Sequence, residues 1–168
     1  MQKISSMQRN RSYLYTLTNI FLVACLFIYL ILTSMNQFLP PLIGLFFVHQ
    51  IVLKFENENK FKSYGTMWYI GIIYLFIAEQ IHGFNFLSIA ITYIIFYMFV
   101  FDFSIKFIKF RNLIIAIYIA MGYICSFLMS NAISYIKKSG YLVFGGEYFW
   151  YIFVEILIGI FLFRGRLV

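Results

Sequence analysis

Charge is scarce in this sequence. Asp, Glu, Lys and Arg make up 11% of its 168 residues, against about 25% in an ordinary soluble domain. Acids number only 6, and there are 2 His, 2 Cys and 2 Pro. Cys25 and Cys125 lie in apolar runs with no Cys-x-x-Cys spacing and no His beside them. A disulfide scaffold is therefore excluded, and both cysteines read as small buried hydrophobes. His49 and His82 stand 33 residues apart, while a metal site needs three or four converging ligands. The chain also lacks a phosphate-cradling Gly loop, a Gly-x-Ser-x-Gly elbow and an Asp/Glu cluster. No catalytic, cofactor-binding or metal-ligating residue is assigned, and the chain is not expected to be an enzyme.

Apolar residues are abundant, at 63% of the chain, with 22 Phe, 14 Tyr and 2 Trp and a mean hydropathy of +0.88. A soluble domain of about 150 residues buries only about 70% of the surface its unfolded chain exposes, too little to hide this much apolar area. Disorder, coiled coil and collagen are excluded by the same composition. Lipid is the expected solvent.

A spanning helix needs about 20 mostly apolar residues. The hydropathy predicts six such helices, at about 13–35, 38–53, 64–81, 84–103, 113–136 and 148–163, forming one integral membrane domain over 1–168. Pro40 and Pro41 are expected in the first turn of the second, where a missing N–H does least harm. The hydrophilic stretch Lys54–Lys62 is expected as the following loop.

The net charge of +7 tests the count. With a cytoplasmic N-terminus, Lys3, Arg9, Arg11, Lys54, Lys60, Lys62, Lys106, Lys109, Arg111, Arg164 and Arg166 fall inside, and only Lys137 and Lys138 fall outside. Lys and Arg in short loops prefer the cytoplasmic side, so the pattern predicts an all-α polytopic bundle with both termini cytoplasmic. The basic excess is then topology, and no nucleic-acid partner is expected. The first apolar run, at about 21 residues, exceeds the roughly 7–15 of a signal-peptide core and is expected to stay as an anchor.

The exceptions inside the apolar runs are few. Glu56 and Glu58 read as solvated charges, Asp102 pairs with Lys106 at i, i+4, and Glu147 suits the start of the sixth helix. Glu79 and Glu155 remain. Glu79 lies near the outer end of the third helix and Glu155 about midway down the sixth. An acid at a helix centre costs roughly 2.5–3.5 kcal/mol on insertion scales, so Glu155 should face the bundle interior, protonated or paired. Each is open to two readings: a proton, ion or substrate contact, or a hydrogen-bonded packing residue. Tyr151, Glu155 and Gly159 form one stripe of the sixth helix, and Gly122, Ser126, Ser130 and Ser134 recur every four residues on the fifth. Small residues at that spacing let helices approach closely in lipid, and Asn131 beside them can hydrogen-bond across helices. The fifth helix is expected to be central or to meet a partner's helix.

The third helix and its turn read Ile77-Ala-Glu79-Gln-Ile-His-Gly83-Phe-Asn-Phe-Leu87, followed by a helix with Ala90 and Tyr93. The end reads Glu147-Tyr-Phe-Trp150, then Val154-Glu155, and closes in Arg164-Gly-Arg166. From about Gly71 to Arg166 the chain resembles the bacterial rod shape-determining MreD family, which has an acid four residues before a Gly and another acid in its last helix. The resemblance implies a non-catalytic scaffold in the bacterial cytoplasmic membrane, without a cofactor. It would bind MreC-like membrane proteins and, through them, the peptidoglycan synthases of the cell-elongation machinery. Glu79, Gly83 and Glu155 would belong to its interaction and packing surfaces.

The rival reading is a small transporter-type subunit, such as the substrate-binding component of an energy-coupling vitamin importer. It predicts an outward polar cavity where Glu79, His82, Asn85, Asn131 and Glu155 converge, although the first helix lacks an Ala-x-x-x-Ala coupling pattern. A lipid-acting membrane enzyme is a third reading, for which Glu79 and His82 are the sole acid–His pair on one helix turn.

Overall fold

A computed structural model describes residues 2–60, 64–101, 103–104, 108 and 110–163. The Asp102–Lys106 pair, and Lys62, Lys109, Arg164 and Arg166, lie outside the described residues. The fold is all-helical, with α1 Gln2–Met35, α2 Ile43–Lys60, α3 Thr66–Ile81, α4 Ser88–Ile95, α5 Arg111–Lys137 and α6 Gly146–Leu162, and no strand among the described residues. A π-helical stretch, Phe96–Phe101, continues α4. Two stretches, Leu17–Met35 and Asn112–Lys137, are long and apolar enough to cross a membrane; Thr66–Ile81 and Ser88–Phe101 are shorter apolar helices.

Helix 2 departs most from expectation. It begins at Ile43, so Pro40 and Pro41 precede it instead of forming its first turn. Pro41 disfavours helical backbone at the residue before it, and Leu42 takes a left-handed φ of 56°. Four aromatic donors hold the connection between α1 and α2 in place. Tyr29 Oη donates to Pro40 O at 2.7 Å, Tyr74 Oη to Pro41 O at 2.9 Å, Tyr151 Oη to Gln37 O at 2.6 Å and Trp150 Nε1 to Phe38 O at 3.2 Å.

The other end of α2 runs on through Lys54, Glu56 and Glu58 to Lys60, where a loop was expected. Hydrophilic is not the same as non-helical: Lys54 Nζ stands 3.9 Å from Glu58 Oε1 at i, i+4, a spacing that supports a helix. Glu58 also accepts the Tyr97 hydroxyl. Helix 4 likewise starts later than predicted, at Ser88, after the turn through Gly83.

Helix 5 is central, packing against α2, α4 and α6, whereas α1 packs chiefly on α3. Its Gly122 lies under Phe47 of α2: a Cβ there would stand 3.1 Å from the Phe47 ring. Phe47 meets Phe96 edge-on at 5.4 Å, and Phe96 meets Tyr118 at 4.9 Å. The core is thus an aromatic stack beside a row of small residues.

Polarity is distributed against the soluble pattern. Gln50, Glu79, Ser88, Thr92, Ser126, Ser130, Ser134 and Glu155 are buried, while Phe21, Met98, Phe99 and Phe161 are exposed. Cys25, expected to be buried, lies exposed on α1, and Cys125 is half-buried.

Candidate functional site

The two deep carboxylates do the same job at two places. Helices 2 and 4 each start on a leucine with left-handed backbone, Leu42 at φ 56° and Leu87 at φ 71°. Phe46 N–H donates to Leu42 O at 3.0 Å, and Ile91 N–H to Leu87 O at 2.9 Å, which marks both leucines as N-caps. Leucine offers no side-chain acceptor for the free amides of a first turn. Glutamates from other helices supply it.

At α4, Glu79 of α3 reaches over the turn. Its Oε1 accepts Ser88 Oγ–H at 2.7 Å and Ile89 N–H at 3.0 Å, and its Oε2 accepts Leu87 N–H at 3.2 Å. At α2, Glu155 of α6 accepts Leu45 N–H on Oε2 at 2.8 Å. Its Oε1 accepts the Tyr123 hydroxyl of α5. Both glutamates are fully buried. Each carboxylate also sits where the helix dipole favours negative charge.

The carboxylate of Glu155 needs a close approach, and Gly44 provides it. A Cβ on Gly44 would stand 3.0 Å from Glu155 Oε2 and 2.8 Å from Ile119 Cγ2. One turn along α6, a Cβ on Gly159 would meet Ile119 Cδ1 at 2.7 Å. The Tyr151/Glu155/Gly159 stripe is therefore an internal contact face, buried along its length.

Ser130 and Ser134 of the α5 row are also used within the chain, whereas the buried Ser126 Oγ has no hydrogen-bond partner among the described residues. Asn85, in the α3–α4 turn, donates from Nδ2 to Ser130 O at 2.8 Å and Ser134 Oγ at 2.7 Å, and its N–H donates to Ser130 Oγ at 2.9 Å. Asn131 is able to bond across helices. It instead clasps the segment after its own helix, exchanging two hydrogen bonds with the Leu142 backbone at 2.9 and 3.2 Å. Gly83 provides the turn between α3 and α4 with a φ of 76°, a conformation that suits glycine.

His82 does not pair with Glu79. Its Nε2 lies 3.3 Å from Thr33 Oγ1, tying the turn to the end of α1. Burial pushes its imidazole below the ordinary value. The polar residues of a convergent outward cavity thus have separate partners: Glu79 at α4, His82 at α1, Asn85 at the serine row, Asn131 at Leu142 and Glu155 at α2. Among the described residues, no three His, Cys, Asp or Glu stand where they could hold a metal ion.

Sequence reasoning singled out Glu79 and Glu155 but missed their partners. Leu42 and Leu87 carry no local signal of a helix start, and Tyr123 and Gly44 resemble any other residues of an apolar run. No local signal set α2 and α4 apart, since α3, α5 and α6 also start without a Ser, Thr, Asp or Asn N-cap, on Gly65, Phe110 and Gly145. No protein-family model, curated protein or solved structure matches the chain.

Proposed function

We propose that this protein crosses the bacterial cytoplasmic membrane six times with both termini inside, and acts there as a non-catalytic scaffold for partner membrane helices. The observation that carries the scaffold reading is the engagement of both deep carboxylates in capping α2 and α4. A carboxylate committed to helix amides is a framework element, and this favours the packing reading of Glu79 and Glu155. Exposed apolar side chains around buried polar ones support lipid as the surrounding solvent. The 11-to-2 distribution of Lys and Arg supports the orientation.

Within that reading, the resemblance around Glu79–Leu87 and Glu147–Arg166 points to the MreD type of scaffold. It would bind an MreC-like single-span protein and thereby the peptidoglycan synthases of the elongation complex. Affinity purification from mild detergent tests this: a single-span partner and synthase components should be recovered, and loss of the protein should alter cell shape. A small molecule held stoichiometrically, with no such partner, would replace the scaffold with the importer-subunit reading.

A further inference from the structure

Between α3 and α4, on the floor made by α2, runs a cavity of about 190 Å³. Its walls are apolar, formed by Ile72 and Phe76 on one side and Ile89, Ala90 and Ile94 on the other. Ile94 is 57% exposed, so the cavity opens on the outer surface of the bundle. Two polar atoms near one end have no partner. Gln50 lines the cavity at 2% exposure; its Nε2 donates to Trp68 O at 3.1 Å, leaving Oε1 unpaired. Trp68 also lines it, and its buried Nε1–H is likewise unpaired. Gly71 makes room for this arrangement, because a Cβ there would collide with the Gln50 amide. A buried acceptor and a buried donor left open cost roughly 1–3 kcal/mol each, and both belong to residues that line the cavity.

We propose that this groove holds one acyl chain of an inner-leaflet glycerolipid, with the ester linkage at Gln50 and Trp68. The inference rests on the membrane orientation given above, which puts the Trp68 end of α3 on the cytoplasmic side. Trp68 is near the start of α3 and Gln50 is one turn before Lys54 on α2, the level at which Trp side chains gather at a membrane interface. Trp68 Nε1–H meets an ester carbonyl there, and Gln50 Oε1 takes a headgroup hydroxyl or ammonium, directly or through one water. From Trp68 to Glu79 the groove follows eleven residues of α3, about 16 Å at the helical rise. Glu79 ends the groove, its oxygens turned to α4. A cavity of about 190 Å³ is too small for a partner helix about 10–12 Å across.

Fluorescence of the protein reconstituted in vesicles tests the proposal, since Trp68 and Trp150 are the only indoles. The Trp150→Phe protein is placed in phosphatidylcholine vesicles with plain or acyl-brominated chains. Bromine should strongly quench Trp68, Ala90→Val should weaken that quenching and Ala90→Phe should abolish it, with helicity by circular dichroism unchanged. If Ala90→Phe fails to insert, Ala90→Val decides alone. Quenching that neither substitution alters would come from bulk lipid and overturn the proposal. So would an unquenched Trp68 beside a quenched Trp150 in the Trp68→Phe protein, which leaves the membrane reading standing. If neither indole is quenched, the membrane reading fails and the groove proposal fails with it.

Discussion

Glu155 and Leu45 are separated by 110 residues of chain, yet Glu155 Oε2 lies 2.8 Å from the Leu45 amide nitrogen. An acid in the middle of the last helix thereby completes the first turn of the second. The same carboxylate accepts the Tyr123 hydroxyl, so α2, α5 and α6 meet at one side chain. Removing it should loosen all three helices together. Glu155→Leu leaves the Leu45 amide and the Tyr123 hydroxyl buried without an acceptor, at about 1–3 kcal/mol each. Glu155→Gln retains one acceptor oxygen and should lose less. Thermal unfolding in detergent should rank the proteins wild type, Gln, Leu; equal losses from both substitutions would rule out the cap as the stabilising feature.

Glu79 performs the corresponding service for α4, with Ser88 as its hydroxyl partner at 2.7 Å. Glu79→Ala should release the Leu87 and Ile89 amides to hydrogen exchange while leaving the amides of α6 protected. Ser88→Ala should cost less, and the double variant should show a coupling energy of about 0.5–3 kcal/mol, as residues in direct contact do. Strictly additive losses would mean that the two side chains act independently.

Gly159 sets how closely α6 approaches α5. Gly159→Val places a Cβ 2.7 Å from Ile119 Cδ1, and overpacking of this kind typically costs about 1–3 kcal/mol. Ile119→Ala clears that atom, so the pair of substitutions should recover part of the loss that Gly159→Val causes alone. Unfolding temperatures of the three variants check this, and no recovery would place the strain elsewhere.

His82 gives stability a pH dependence. Burial lowers its folded-state pKa below the ordinary value of 6.5. The unfolded chain therefore takes up its proton first as pH falls, and the folded state follows only at lower pH. The contribution of His82 is complete above about pH 6.5 and is lost on acidification through the folded pKa. Wild-type unfolding temperature should fall on moving from pH 7.5 to 5.5, and His82→Gln should flatten that slope. An unchanged slope in His82→Gln would assign the effect to other groups.

The orientation is open to a direct check. A cysteine introduced at Lys138, in a Cys25→Ser, Cys125→Ser background, should react with an impermeant maleimide added to intact spheroplasts. A reporter fused after Val168 should be active only in the cytoplasm. An external C-terminus would rule out the six-crossing count.

Much of the framework was legible in the sequence because its causes are local. A run of about 20 apolar residues makes a helix wherever it lies, and burying an acid in such a run is costly enough to turn it inward. Six helices among the described residues and the inward placement of Glu155 follow from those two facts. The helix boundaries around Pro40 were misread because the proline rule considers only missing N–H groups. The carbonyls of Gln37, Phe38, Pro40 and Pro41 were claimed by Tyr151, Trp150, Tyr29 and Tyr74. Asn131, which can hydrogen-bond across helices, takes the Leu142 backbone in the segment after its own helix.

By itself, then, the sequence determined, for the described residues, an all-helical fold of six helices and the few polar side chains that must point inward. Only the tertiary structure decided what those side chains face. A carboxylate selects its partner from whatever donors the packing brings within about 3 Å, and Leu45, Tyr123 and Ile89 are apolar or aromatic residues that announce nothing in one dimension. The donors that matter are backbone amides, which every residue but proline carries and no residue name reveals. Packing alone left those of α2 and α4 open and set a glutamate against each.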